Sequence, residues 1–311
     1  MGEFQNSMKK ILFPCTSPIH IARNQLLLNE LKENFEVHIG EYGSKDMSMS
    51  EIMCDITPKF KKALDIIQPD AVLLRGDRFE IGSLALLSFY SKVPIIHIEG
   101  GATSGDNVVD SKIRHAVSWL SNYHLVTDET ARKNLIVMGL PIDNIFNVGS
   151  FDVHYANQVK TKRLFNEDYV LVLHHSLPGE NTELVLEAVR EATNLKIVGT
   201  RGNNDYVKSL MTEEYSPEDF ISLLKHAKCF ISNSSAACKE ASILGTPTCL
   251  LGHRQDGRLV GHNVIRVPHE KDEIIKMTKL QINHGEYEPD LVYYKENSPQ
   301  LACSIITNIL N

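Results

Sequence analysis

Short apolar runs rich in β-branched residues alternate with longer segments of helical period along almost the whole chain, and that alternation leaves few folds open. KKILFPCTS from Lys9, FEVHIGE (Phe35–Glu41), Ala71–Leu74, Val93–Ile98, HLV at His124–Val126 and IFNVGS (Ile145–Ser150) read as strands. Pro18–Asn34, Ser50–Ile67, Ile81–Tyr90, a segment from Asp110 and Asp128–Gly139 read as the helices between them, and Tyr42–Ser50 as a loop. Strands apolar on both faces are buried on both faces, which implies parallel order with right-handed helical crossovers. The first half is therefore expected to be α/β, a doubly wound sheet of Rossmann type. No GxGxxG occurs, so the usual dinucleotide site is not expected.

The second half repeats the alternation. YVLVLHHS (Tyr169–Ser176), NLKIVGT (Asn194–Thr200), KCFISNSS (Lys228–Ser235), GTPTCLL (Gly245–Leu251) and NVIRV (Asn263–Val267) read as strands, with helices over Glu183–Ala192, Pro217–Ala227 and up to about Leu244. A chain of 311 residues suits two domains of about 150 residues. Residues 8–155 and 165–295 are the expected domains, with the polar Asp152–Asn166 as linker and a cleft between their strand ends. A last helix, Ser298–Leu310 within 296–311, is expected to cross back to the first domain, and Met1–Ser7 reads as an expression scar.

A net charge of −7 argues against a nucleic-acid partner, because a phosphate backbone asks for a basic stripe. A compact anion such as a nucleotide sugar needs only local arginines and helix N-termini. The sequence holds no apolar run of membrane-spanning length and no secretory signal, so no membrane partner and a cytoplasmic location are expected. The 6 cysteines form no CxxC and no metal-ligand spacing; reduced core thiols and no metal are expected.

The stretch VPIIHIEGGATSGDNVVDSKIRHAVSWLS carries the strongest functional signal. Its strand ends on a carboxylate, Glu99, against Gly100 and Gly101, and ligands of open α/β sheets bind at the carboxyl ends of strands. Asp77, in GDRFE, stands at the tip of a neighbouring strand, and Asp110 and Arg114 share one helical face. Carboxylates in differing environments are what acid/base work at a carbon or glycosidic oxygen requires. The plainer readings are helix N-caps for Asp77 and Asp110 and an exposed ion pair for Asp110 with Arg114. In the second half, Asn233, Ser234 and Ser235 form a strand-to-helix turn able to hold a phosphate or simply to cap a helix, and Glu240 follows within reach of a ribose. His174 and His175 end a strand, and HRQDGR (His253–Arg258) adds two arginines.

GDRFE, HIEGG followed by DSKIRHAVSWLSNYH, and NSS with KEASILGTP and RQDGR occur in this order, and together they resemble the UDP-N-acetylglucosamine 2-epimerase family, most closely its hydrolysing, sialic-acid-pathway branch. The resemblance implies a GT-B-like architecture, two Rossmann-like domains with the nucleotide held mainly by the second. It implies catalytic roles for Asp77, Glu99, Asp110, Arg114 and His175, with His174 as the alternative histidine. It places UDP contacts on Ser234, Ser235 and Glu240, with Arg78 as a further candidate. The implied reaction is anti elimination of UDP followed by hydration of a 2-acetamidoglucal, giving UDP and N-acetylmannosamine with no cofactor; a homodimer or homotetramer is also implied. The alternatives are a non-hydrolysing epimerase, a GT-B glycosyltransferase and a non-catalytic UDP-sugar-binding protein. Several positions depart from the family pattern. CTSPIH replaces the usual GTR opening, Ala102 follows the glycine pair, Ala236 and Ala237 follow Ser235, and the second half is short between Asp205 and Tyr215. These departures point to a modified 2-acetamido UDP-sugar, such as a 4-acetamido-4,6-dideoxy variant, as a further substrate.

Overall fold

A computed structural model describes residues 8–15, 18–42, 47–103, 105, 109–177, 180–200 and 215–311. Met1–Ser7, Thr16 and Ser17 within CTSPIH, and residues 201–214, which include the short stretch after Asp205, lie outside the described residues.

The chain forms two compact units, one of residues 1–102, 106–151 and 295–311 and the other of residues 103–105 and 152–294. In the first unit, strands β1 (Lys10–Cys15), β2 (Glu36–Glu41), β3 (Ala71–Arg75), β4 (Ile95–Ile98), β5 (Tyr123–Val126) and β6 (Ile145–Asn147) make one sheet in the order β2-β1-β3-β4-β5-β6. Every pairing in it is parallel. Helices α1 (Pro18–Lys32), α2 (Met49–Ile67), α3 (Phe79–Tyr90), α4 (Val109–Leu120) and α5 (Glu129–Val137) are the crossovers. Alternate strand residues feed opposite faces: Ile11, Phe13, Leu73 and Ile96 fill one core, and Leu12, Val72, Leu74 and Ile95 fill the other. That is why these strands read as unbroken apolar runs.

The second unit opens with α6 (Phe151–Gln158) and holds β7 (Tyr169–Leu173), α7 (Thr182–Ala192), β8 (Lys196–Gly199), α8 (Pro217–His226), β9 (Cys229–Ser232), α9 (Glu240–Leu244), β10 (Thr248–Leu251), β11 (Val264–Val267) and α10 (Lys271–His284). Its parallel sheet has the order β11-β10-β9-β7-β8. The final helix, α11 (Ser298–Leu310), packs Ala302, Cys303 and Ile306 into a core of the first unit. Five of the six cysteines are buried thiols and Cys54 is exposed.

The expected linker is half helix. Asp152–Asn166 reads as polar, but α6 buries Val153 and Ala156, and its Asp152 is itself buried, 3.9 Å from the Lys239 ammonium. A charge satisfied internally looks like a surface charge in sequence. The same difficulty hides α10, whose apolar stripe is thin and relies on Thr278 and Gln281, both fully buried.

Topology selects where ligands sit. In both sheets the chain reverses direction across the sheet between the first and third strands, β1 and β3 in one, β7 and β9 in the other. Loops leaving the carboxyl ends of such a strand pair diverge to opposite faces and open a crevice. Asp77 follows β3, His174 and His175 follow β7, and Asn233 to Ser235 follow β9.

Candidate active site

In the first unit the tips of β3 and β4 carry two carboxylate–arginine pairs. Arg114 projects from α4, is only 2% exposed, and its guanidinium meets the Asp77 carboxylate while Nη1 donates to the Ala102 carbonyl at 2.6 Å. The plainer reading of Arg114 as part of an exposed ion pair does not hold: the arginine is buried, and the Asp77 carboxylate meets it from the neighbouring strand tip. Asp110, in the first turn of α4, is half-buried one turn before it.

Glu99 is held by a residue that sequence reading missed. Arg75, the last residue of β3, donates through Nη2 to Glu99 Oε1 at 2.7 Å and through Nη1 to Asn24 Oδ1 at 3.0 Å and the Arg23 carbonyl at 3.3 Å. Glu99 adopts φ 66°, a left-handed conformation that a residue with a Cβ occupies at a cost of about 1–2 kcal/mol. The turn behind it explains the glycine pair. A Cβ on Gly101, at φ 76°, would strike the Ala131 carbonyl, and one on Gly100 would lie 2.8 Å from His97 Nδ1. Arg78, a candidate nucleotide contact, donates from Nη2 to the buried Glu80 carboxylate at 2.6 Å.

Beneath these tips His97 bridges the turn after β3 and helix α4, its Nε2 2.9 Å from the Gly76 carbonyl and its Nδ1 3.1 Å from Ser118 Oγ. Burial pushes its pKa down to about 4. His124, beside it with ring centroids 6.5 Å apart, is pushed down to about 3 by burial and by the His97 charge. Both rings are therefore neutral in the fold and protonate near pH 6.5 once exposed. The unfolded chain binds more protons below that value, so stability is full above about pH 6.5 and falls as the pH drops toward 4. Each ring is expected to contribute a loss on the order of 3 kcal/mol over that window. Urea midpoints at neutral pH and at about pH 4.5 check this; equal midpoints would rule the two histidines out as the acid-labile element.

In the second unit Asn233, fully buried after β9, is the hub. Its Nδ2 donates to the His175 carbonyl at 2.8 Å, and its Oδ1 accepts the His175 amide at 2.8 Å. Its own carbonyl accepts from Arg254 Nη1 at 3.1 Å and Gln255 Nε2 at 3.0 Å. One residue thus fixes the backbone of His175 with its side chain and draws the HRQDGR loop to the same place with its carbonyl. Only that paired geometry reveals the role, since the sequence suggested a phosphate contact or cap. Ser234 Oγ caps the next turn by accepting the Ala236 amide at 3.2 Å, which leaves its hydroxyl proton to donate to an anion. Ser235 is half-buried beside it, while Glu240 is buried at the start of α9, next to Lys239. Ala236 and Ala237 are buried, and Ala237 packs in a core of this unit.

His174 and His175 part company. His174 is 2% exposed, with Nδ1 2.9 Å from Thr182 Oγ1, whereas His175 is half-buried. Burial works to raise the pKa of Glu180, and His174 and Asn233 reverse this, leaving its carboxyl below the usual range.

Known proteins resemble the chain over most of its length. Residues 19–307 match the family model described as UDP-N-acetylglucosamine 2-epimerase. A UDP-N-acetylglucosamine 2-epimerase of Neisseria meningitidis serogroup B is 32% identical over 254 residues, 73% of this chain and 67% of that protein. A hydrolyzing UDP-N,N'-diacetylbacillosamine 2-epimerase of Legionella pneumophila is 30% identical over 254 residues, 72% of this chain and 67% of its own. Among solved structures, a Methanocaldococcus jannaschii UDP-GlcNAc 2-epimerase in complex with UDP-GlcNAc and UDP superposes with a TM-score of 0.78 at 20% identity, covering 96% of this chain and 99% of that one. That likeness carries the fold, two doubly wound domains of GT-B type.

Proposed function

Because the chain belongs to the UDP-N-acetylglucosamine 2-epimerase family, we propose that it is a hydrolysing 2-epimerase, releasing UDP and N-acetylmannosamine from UDP-N-acetylglucosamine. The observation that carries this reading is the pair of arginine-bound carboxylates, Asp77 and Glu99, at or beside the tips of adjacent strands. An arginine beside a carboxylate favours its ionised form, the form that accepts a proton.

In the proposed reaction a carboxylate of the first unit takes the C2 proton while the C1–O bond breaks and UDP leaves with the bonding pair. The double bond formed between C1 and C2 is the 2-acetamidoglucal. Water then adds, its oxygen to C1 and a proton to C2 from the opposite face, which inverts C2. Arg114 and Arg75 hold the carboxylates in place, with Asp110 as a second proton donor or acceptor. The second unit recognises the nucleotide: Ser234 and Ser235 donate to the diphosphate, Glu240 accepts from the ribose, and His175 protonates the departing phosphate oxygen. Arg78, turned to Glu80, supports the β3 turn in this reading.

The Legionella relative, named for a diacetylated sugar, favours a second substrate reading with the same chemistry on a modified 2-acetamido UDP-sugar. Proton NMR in deuterated water tests both. Free N-acetylmannosamine deuterated at C2, with one UDP per sugar, is the expected result. Nucleotide-linked N-acetylmannosamine would make the enzyme non-hydrolysing. Intact, undeuterated UDP-N-acetylglucosamine would shift the substrate to a 4-acetamido-4,6-dideoxy analogue, and failure of both sugars would refute the epimerase reading in favour of a glycosyltransferase or a binding protein.

A further inference from the structure

His174, Glu180 and His269 come from three separate places in the second unit: the end of β7, the approach to α7 and the loop before α10. Each offers one ligand atom, and the three atoms lie within 4.8 Å of one another. His174 Nε2 is 3.4 Å from Glu180 Oε2, and the His174 and His269 rings face each other with centroids 5.3 Å apart and planes at 24°. His174 Nε2 is buried with no hydrogen-bond partner among the described residues.

A ring nitrogen and a carboxylate oxygen at that range are bridged either by a proton on Nε2 or by a cation that both atoms ligate. Two ligand atoms on a tetrahedral zinc ion with bonds of about 2.0–2.1 Å stand roughly 3.3–3.4 Å apart. The groups behind the ligands are those a metal site uses for orientation. Thr182 Oγ1 sits 2.9 Å from His174 Nδ1, so a proton on Nδ1 leaves Nε2 as the donor atom. Asn233 Nδ2 holds Glu180 Oε2 at 3.0 Å.

We propose that His174, Glu180 and His269 form a binding site for one divalent cation of the zinc class, with a fourth position for water. This site is separate from the acid/base chemistry assigned to the first unit and does not depend on the substrate reading. Its effect is to tie the end of β7 to the loop before α10, bracing the backbone that carries His175.

Loading has a structural signature. In the cation-free protein His269 Nε2 accepts the Asn181 amide at 3.0 Å. Ligation through Nε2 takes that lone pair. Ligation through Nδ1 requires its lone pair and moves the ring proton to Nε2, which then repels the amide. By either route the Asn181 amide loses its acceptor.

The experiment is titration of the full chain with zinc chloride near neutral pH, by calorimetry and by NMR of protein labelled with nitrogen-15 asparagine. One equivalent is expected to bind, to shift the Asn181 amide and to raise the melting temperature. Glu180→Gln and His269→Ala are each expected to weaken binding by about 10-fold to 100-fold or more. His38→Ala, which removes the separate His38–Glu36 pair on β2, leaves it unchanged. Absence of stoichiometric binding, binding indifferent to both substitutions, or an unmoved Asn181 amide at saturation would each overturn the site. The NMR arm uses unaltered protein, so poor folding of a variant does not blunt the test. Since zinc binding is read without a sugar, its failure stays distinct from a failure of the epimerase reading.

Discussion

Asp77→Asn is expected to lower the folding free energy by about 3–5 kcal/mol and to abolish turnover, because it removes the carboxylate that meets the buried Arg114 guanidinium. The neutral amide keeps the shape of the carboxylate, so the loss isolates charge from packing. Arg114 keeps its bond to the Ala102 carbonyl, a neutral acceptor. The double variant Asp77→Asn with Arg114→Met removes both charges and is expected to regain a large part of the stability, since breaking one side of a buried pair costs more than replacing both. Urea unfolding of wild type and the two variants checks the stability claim. A double variant no more stable than the single would show that the buried charge is not what the aspartate answers. The activity claim is checked by UDP release, where wild-type turnover in Asp77→Asn would remove this residue from the reaction.

Glu99→Gln is expected to reduce deuterium incorporation at C2 by about 100-fold to 10,000-fold while leaving the fold nearly intact. A glutamine fits the same left-handed backbone and still accepts from Arg75, but it takes no proton. Arg75 also keeps two neutral acceptors, Asn24 and the Arg23 carbonyl. The two variants therefore separate a carboxylate needed for stability and chemistry from one needed for chemistry. The check pairs C2 deuteration in heavy water with a urea midpoint. Full deuteration rates in Glu99→Gln would exclude it as the acid or base, and the left-handed backbone at Glu99 would then need another explanation.

The alternation of apolar runs with helical segments was sufficient for the two doubly wound sheets, because a strand buried on both faces and a helix with an apolar stripe announce themselves within a dozen residues. The strand tips were legible for the same reason: GDRFE, HIEGG and SNSS each interrupt an apolar run with residues that cannot stay in it. Asp77, Glu99 and His175 accordingly read as strand-tip residues from the sequence. Their partners were not. Arg75 and Glu99 are 24 residues apart, and Asn233 and His175 are 58 apart. His174 and His269 lie further apart still, with most of the second sheet between them in sequence. Local period says that a residue ends a strand, but which other tip lies beside it depends on the order of strands in the sheet, and that order follows from packing the crossover helices. Burial was hidden in the same way. Arg114 and Asp152 look like surface charges on their own helices, and the opposing carboxylate and ammonium, brought by other elements, help to make their burial possible. The sequence by itself determined the layers and the chemical groups at their edges; the tertiary structure decided which groups meet, because contact between distant residues is a property of the assembled sheet and not of any segment within it.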